Sequence, residues 1–392
     1  MGDRLAARVA GFGTSVFTEM SRLAVRHRAV NLGQGFPDFP GPDFVKEAAI
    51  LAIRGDQNQY AVSHGTLRLR RAIAETWQRA HGREVDPETE VSIGSGATEV
   101  ILDAILALVD PGDEVILFEP FYDSYLPDVL MAGGIPRFIT LQPPDWHFDR
   151  QALADLFTPR TRLILINTPH NPTGKMFSRE ELAFIASLCQ REDVLVLTDE
   201  VYEQIRFNRM EHVPIATVPG MWERTLTVNS TGKTFSMTGW KVGYAVGPPE
   251  LNRAVRTTHQ FVTFSTSTPF QEGMATALET AARTGYYEKL RREYTARRDL
   301  LAEALVSAGL PTLPVQGSYF LLADVRDMGF PDDVSFCRYL TTEIGVAAIP
   351  PSAFYADPMR APLLARFCFA KRDETLRAAA ERLQKLRTAR KA

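Results

Sequence analysis

Between Glu90 and Gly247 seven short aliphatic runs alternate with longer amphipathic stretches, and this alternation restricts the chain to a layered α/β fold. The runs are Val91–Ser95, Glu114–Phe118, Ile135–Leu141, Arg162–Asn167, Val194–Asp199, Thr225–Ser230 and Lys241–Gly247. Several are dominated by Val, Ile and Leu without strict alternation, which suits strands covered on both faces. Helical patterns lie between them at Glu99–Val109, Tyr122–Met131 and Ser178–Gln190, the last opened by a Ser178/Glu181 capping box. Repeated βα units predict a mostly parallel seven-stranded sheet covered by helices. The long irregular connection before the last run leaves that strand free to enter antiparallel.

After Tyr286 the pattern changes. A charged helix over Tyr287–Ala308 is followed by a strand near Ser318–Ala323, a helix near Asp332–Glu343 and a terminal helix from Asp373. That is a smaller α+β unit. A chain of 392 residues is too long for one ordinary core. The expected division is a large domain over 46–285 and a small domain from 1–45 and 286–392. The first forty residues carry Gly33, Gly35, Pro37 and Pro40 and read as a loop.

A formal charge of −3 offers no surface for nucleic acid or for an anionic membrane. No uninterrupted apolar run reaches the roughly 18 residues of a membrane span, and Asp3, Arg4 and Arg8 interrupt any signal-peptide core. Cys189, Cys337 and Cys368 are few, odd in number and far apart, and read as buried reduced thiols of a cytoplasmic protein. No metal-ligand spacing occurs. The basic tail Arg387–Lys391 reads as a solvated helix end.

The chemistry concentrates at run ends. In N-S-T-G-K-T-F-S-M-T-G-W-K-V-G-Y-A-V-G (Asn229–Gly247), Lys233 follows the end of a strand among small residues. Ligands of open α/β sheets sit beyond such strand ends. A lysine partly desolvated there has a lowered pKa and an amine free to form an imine, although a lone lysine in a turn is ordinarily a surface residue. Asp199 ends another run and opens D-E-V-Y. Asn167–Gly174, N-T-P-H-N-P-T-G, is on its own only turn chemistry. Ser95–Thr98 joins a strand to a helix whose N-terminus favours an anion. Arg366, among apolar residues in L-A-R-F-C-F, needs a carboxylate, from either a structural salt bridge or a ligand.

Taken together these motifs, from Asn31 to Lys371 in order, resemble the class-I aminotransferases of pyridoxal-phosphate fold-type I. The resemblance implies that Lys233 bears pyridoxal 5′-phosphate as a Schiff base, and that Ser230 and Lys241 hold its phosphate with a cup of Gly96, Ala97 and Thr98. Arginine is commoner than lysine at position 241, and lysine lacks its bidentate fork. Asp199 would keep the pyridine nitrogen protonated, and Tyr202 and Asn171 would bond the phenolic oxygen, with Asn167 as framework. Tyr122, in E-P-F-Y-D-S-Y, would stack on the ring, while Phe121 and Tyr125 read as packing residues. Arg366 would clamp the substrate carboxylate, and the backbone at Gly35, in the N-terminal loop N-L-G-Q-G-F-P, would approach the substrate. Tyr60 would cross a homodimer interface to the partner's phosphate, and Phe264 would reach the partner's substrate side.

The subgroup most resembled is the kynurenine/glutamine/methionine aminotransferases, which includes the cysteine-S-conjugate β-lyases. It implies ping-pong transfer from an amino acid to a 2-oxo acid, with Lys233 as general base and acid. Ser265 stands where animal kynurenine aminotransferases have histidine, which speaks against kynurenine. No arginine obviously serves a side-chain carboxylate, which favours neutral apolar, aromatic or sulfur-containing donors. β-Elimination and N-succinyldiaminopimelate transamination are the alternatives. A cofactor-binding regulatory module is disfavoured, since no helix-turn-helix pattern precedes Asn31.

Overall fold

The computed structural model describes residues 5–13 and 15–386, so the Arg387–Lys391 tail and the charges at Asp3 and Arg4 lie outside the described residues. Strand β1 (Val30–Asn31) leads into the N-terminal loop. The central sheet then uses β2 (Val91–Gly94), β3 (Glu114–Glu119), β4 (Ile135–Thr140), β5 (Thr161–Asn167), β6 (Leu195–Asp199), β7 (Thr225–Ser230) and β8 (Gly243–Val246). Their order is β2-β8-β7-β6-β5-β3-β4. All pairings are parallel except those of β8, which runs antiparallel to both β2 and β7. The aliphatic runs are thus strands, and the last is the reversed one. Strand β3 is buried along its whole length, whereas β4, at the sheet edge, is largely solvated and tolerates Pro136.

The helix over Arg179–Arg191 opens with the reciprocal Ser178/Glu181 capping box read from the sequence. The remaining strands, β9 (Phe320–Asp324), β10 (Val346–Ala347) and β11 (Leu364–Cys368), form two small sheets: β1 with β10, and β9 with β11. One hydrophobic cluster joins these sheets, the Tyr286–Ser307 helix and the Asp373–Leu383 helix, and also takes in Val201, Tyr202, Ile205 and Phe207.

The expectation of a loop through the first forty residues needs correction. Val16–Arg26 is a helix, capped by Ser15; it buries Met20 and Ala24, with Met20 in the small-sheet cluster. Met20, Leu23 and Ala24 recur at helical spacing. The glycine- and proline-rich composition belongs to the segment after Asn31.

Candidate active site

Strand β7 ends at Ser230, whose hydroxyl accepts the Gly232 N–H (3.2 Å) and starts one helical turn, Thr231–Thr234. That turn aims Lys233 into a cleft at the carboxyl ends of β5, β6 and β7, lined also by Tyr122, Asn171, Asp199 and Tyr202. The cleft holds ≈ 720 Å³ of non-protein space, continuous with solvent. Burial pulls the Lys233 ammonium down to about 8, opposed by the Asp199 carboxylate. Lys233 Nζ donates to Tyr319 Oη (3.1 Å), and Tyr319 donates in turn to the Gly35 carbonyl (2.6 Å). Tyr202 packs edge-on against the Tyr319 ring, with centroids 5.0 Å apart.

Asp199 ends β6 in register with Asn167 on β5. Its Oδ2 accepts from Tyr125 Oη (2.6 Å) and its Oδ1 from the Val201 N–H (3.2 Å). Burial pushes this carboxyl up, against those two hydrogen bonds and the field of Lys233. A cation brought to Asp199 would reverse the shift. Asn167 donates through Nδ2 to the Asp199 carbonyl (2.9 Å) and accepts the Asn171 N–H at Oδ1 (2.7 Å), which fixes Asn171. The expectation for Tyr125 is therefore corrected. It is packed, but its hydroxyl also holds the acid, whereas Phe121 only stacks on Phe138.

A glycine turn, a helix N-terminus and the Lys241 ammonium meet elsewhere along the cleft. Gly96 (φ +88°) precedes the helix over Ala97–Leu108, and a Cβ at Gly96 would stand 2.9 Å from Lys241 Nζ. A Cβ at Gly243 would collide with the backbone of Gly96 and Ala97, so β8 presses directly on this turn. Ala97 and Thr98 line the cleft beside Ser230 and Lys241, and as the first residues of the helix they present N–H groups that the helix leaves without acceptors. Glu99 faces away, bonded to the Ser95 N–H (2.5 Å) and to His259 Nδ1 (2.6 Å).

Arg366, on β11 opposite Leu322, is only 1 % exposed. Nη1 donates to Asn171 Oδ1 (3.0 Å) and Nη2 to the Gly33 carbonyl (3.0 Å), while Nε has no partner. Its guanidinium carbon lies 4.1 Å from the Phe320 ring centroid and 5.0 Å from that of Phe17. Among the described residues no carboxylate forms an ion pair with it, so the structural salt bridge open from sequence is not made. Burial holds the guanidinium down at about 10. Asn171 spends its carbonyl oxygen on Arg366, leaving its NH₂ for the cleft.

Gly35 packs so tightly that a Cβ would stand 2.8 Å from the Phe320 ring. Tyr60 and Phe264 do not line this chain's own cleft. They are exposed (82 % and 46 %) and packed edge-on on each other at 5.1 Å. Sequence reasoning missed Tyr319 and the hydroxyl of Tyr125, since neither sits in a motif with a recognisable chemical spacing.

The donor set fits pyridoxal phosphate. An inward amine, a buried carboxylate short of a cation and a helix N-terminus flanked by a hydroxyl and an ammonium match the aldehyde, ring nitrogen and phosphate.

Comparison with known proteins agrees with this geometry. The profile of the family "Aminotransferase class I and II" matches residues 27–383. The chain is 43 % identical to a kynurenine–oxoglutarate transaminase of Dictyostelium discoideum, over 97 % of this chain and 96 % of that protein. It is 46 % identical to a probable N-succinyldiaminopimelate aminotransferase of Mycobacterium tuberculosis, over 97 % and 98 % respectively. A crystal structure of an Escherichia coli protein identified as a methionine aminotransferase superposes with a TM-score of 0.94 at 43 % identity, covering 98 % of this chain and all of that one.

Proposed function

The chain belongs to the class I and II aminotransferases, and from that premise we propose that Lys233 is its cofactor-bearing amine and a neutral amino acid its donor. The protein is a pyridoxal-phosphate-dependent enzyme of the fold-type I class. Bound in the cleft, the cofactor supplies an aldehyde that takes up the amino group and a ring that accepts the electron pair released at Cα.

The chain's own residues do the rest. Asp199, held by Tyr125 and the Val201 N–H, keeps a negative charge where the ring nitrogen needs a proton. Ser230, Lys241 and the Gly96–Thr98 turn would hold the phosphate, and Tyr122 would pack against the ring. Tyr202 and the free NH₂ of Asn171 serve the phenolic oxygen. The Lys233 amine, drawn by burial down to about 8 and so deprotonated far more readily than a free lysine, would take the proton from substrate Cα at Nζ and carry it toward the cofactor. A second substrate, a 2-oxo acid, runs the sequence backwards.

One observation carries the substrate reading: Arg366 is a fully buried guanidinium with no counter-ion, facing the cleft through Asn171. Such a group is completed by a carboxylate. Beside it stand Phe17, Phe320 and Phe354, and the cleft's other cations, Lys233 and Lys241, already have tasks. This favours apolar, aromatic or sulfur-containing side chains over acidic ones.

Two copies complete the site in this reading. Tyr60 and Phe264, with Phe261 beside them at 83 % exposure, form an apolar surface suited to a second copy. A cytoplasmic setting fits the buried, unbridged Cys189, Cys337 and Cys368.

The deciding experiment is a matrix of donors (methionine, glutamine, phenylalanine, kynurenine, N-succinyldiaminopimelate, aspartate) against 2-oxo acids, with pyruvate release from a cysteine conjugate run alongside. Borohydride reduction and peptide mapping should place the pyridoxyl mass on Lys233. Aspartate as the best donor would overturn the substrate reading, and pyruvate release outrunning transamination would make the enzyme a β-lyase.

A further inference from the structure

The Lys233 amine is held by a residue that no motif marks. Tyr319 is completely buried between the small-sheet cluster and the cleft, stacked at 16° on Tyr294 and edge-on to Tyr202 and Phe320. Its hydroxyl bonds Lys233 Nζ and the Gly35 carbonyl and lies within reach of the Tyr202 hydroxyl, and the chemistry of the first two fixes which way their bonds run. The Gly35 oxygen, 2.6 Å away, is a carbonyl and can only accept. The single hydroxyl proton is therefore committed there, and toward Lys233 Nζ at 3.1 Å the tyrosine oxygen can only accept.

An amine held through an N–H keeps its lone pair. Had the tyrosine donated instead, that pair would be tied up and the amine useless as a base. Tyr319 also joins three parts of the chain: the turn after β7 through Lys233, the segment before β9, and the N-terminal loop through Gly35. The same loop accepts a hydrogen bond from Arg366 at the Gly33 carbonyl and one from Lys371 at the Phe36 carbonyl (2.7 Å). A change in the loop at the substrate clamp is thereby passed to the amine.

We propose that Tyr319 is a positioning residue for proton transfer. Its oxygen, oriented by the Gly35 carbonyl, holds the Lys233 amine by an N–H, leaves the nitrogen lone pair facing the cleft and ties that orientation to the loop that carries the substrate clamp. This rests on Lys233 being the proton carrier, as read above.

Tyr319→Phe keeps the aromatic packing and removes only the acceptor. In single turnovers with an α-deuterated neutral amino acid, the holoenzyme variant should lose roughly tenfold in rate, part of what a positioned base contributes. Substrate affinity should change little, and the isotope effect should grow. A second readout needs no activity: cyanate modification of Lys233 in apoenzyme, followed by peptide mass mapping across pH. Removing an acceptor that favours the ammonium should move the midpoint to lower pH. Gly35→Ala, whose Cβ meets the Phe320 ring and displaces the carbonyl, should give the same signature and serves if Tyr319→Phe fails to fold.

A wild-type rate, or an unchanged modification midpoint, overturns the proposal. Borohydride labelling of a lysine other than Lys233 would instead remove the functional reading beneath it.

Discussion

Replacing Arg366 with methionine separates a buried charge kept for a ligand from one kept for the fold. Holding the guanidinium near 10 instead of 12.5 corresponds to about 3 kcal/mol against the charged form. Methionine removes that cost and fits the space between Phe17, Phe320 and Phe354. It also deletes hydrogen bonds to Asn171 and Gly33, together roughly 3 kcal/mol at the lower end for a charged donor. The two effects nearly cancel, so denaturant unfolding of substrate-free protein should stay within roughly 1–2 kcal/mol of wild type. Activity should not. Losing a desolvated partner of a carboxylate costs about 2–5 kcal/mol, which is roughly 30- to 5,000-fold in kcat/KM for any amino acid. A primary amine with the same side chain but no carboxylate should be impaired far less than the amino acid, by only what the lost bonds to Asn171 and Gly33 contribute. The reasoning fails if the variant loses about 3–5 kcal/mol of stability, as when a structural ion pair is broken, or if amine and amino acid are impaired alike.

Lys233 gives a signed pH effect. With its folded value near 8 and an unfolded value of about 10.4, the unfolded apoenzyme binds more protons between those limits, so this residue makes stability rise with pH across that window. Unfolding midpoints measured over the window should lose that upward component in Lys233→Met. Asp199→Asn should lower transamination by about 10³-fold or more, the scale of a removed charge stabiliser. Tyr125→Phe, which only deprives Asp199 of one donor (2.6 Å), should cost nearer tenfold; equal losses measured in steady state would contradict this division of labour. Phe261→Arg should break the proposed dimer in sedimentation and weaken cofactor retention together, and a change in one without the other would refute the shared site.

How much of this the sequence disclosed depended on the range over which each feature is determined. The central-sheet strands other than the edge strand β4 declare themselves because two-sided burial forces continuous aliphatic runs, and the Ser178/Glu181 cap because its partners are three residues apart. The Val16–Arg26 helix was obscured because nearby Gly and Pro dominated the composition, although Met20, Leu23 and Ala24 carry its period. Arg366 could be seen to need a carboxylate, yet its lack of an internal partner is a three-dimensional fact. Tyr125 reads as packing and Tyr319 goes unmarked because an aromatic ring looks alike in sequence whether or not its hydroxyl has work. Only Asp199, 74 residues away, and Lys233, 86 residues away, make the difference.

Those long separations explain why the two ends of the site behave as one. The Asp199 carbonyl holds the Asn167 side chain, which holds the Asn171 backbone, whose side chain accepts from Arg366. Arg366 holds the Gly33 carbonyl, and two residues on Gly35 accepts from Tyr319, which receives Lys233. The chain of bonds leaves Asp199, passes through Arg366, the proposed carboxylate clamp, and returns to Lys233, the proposed base. Nearly every member is buried, so a displaced link leaves an unsatisfied polar group, at about 1–3 kcal/mol each. If Arg366 binds the substrate carboxylate as proposed, geometry set there should be felt at Lys233 without any direct contact between the two. A donor whose carboxylate is blocked as an amide should accordingly lose rate in the proton-transfer step as well as affinity. If single turnovers show affinity alone to suffer, the two ends are independent.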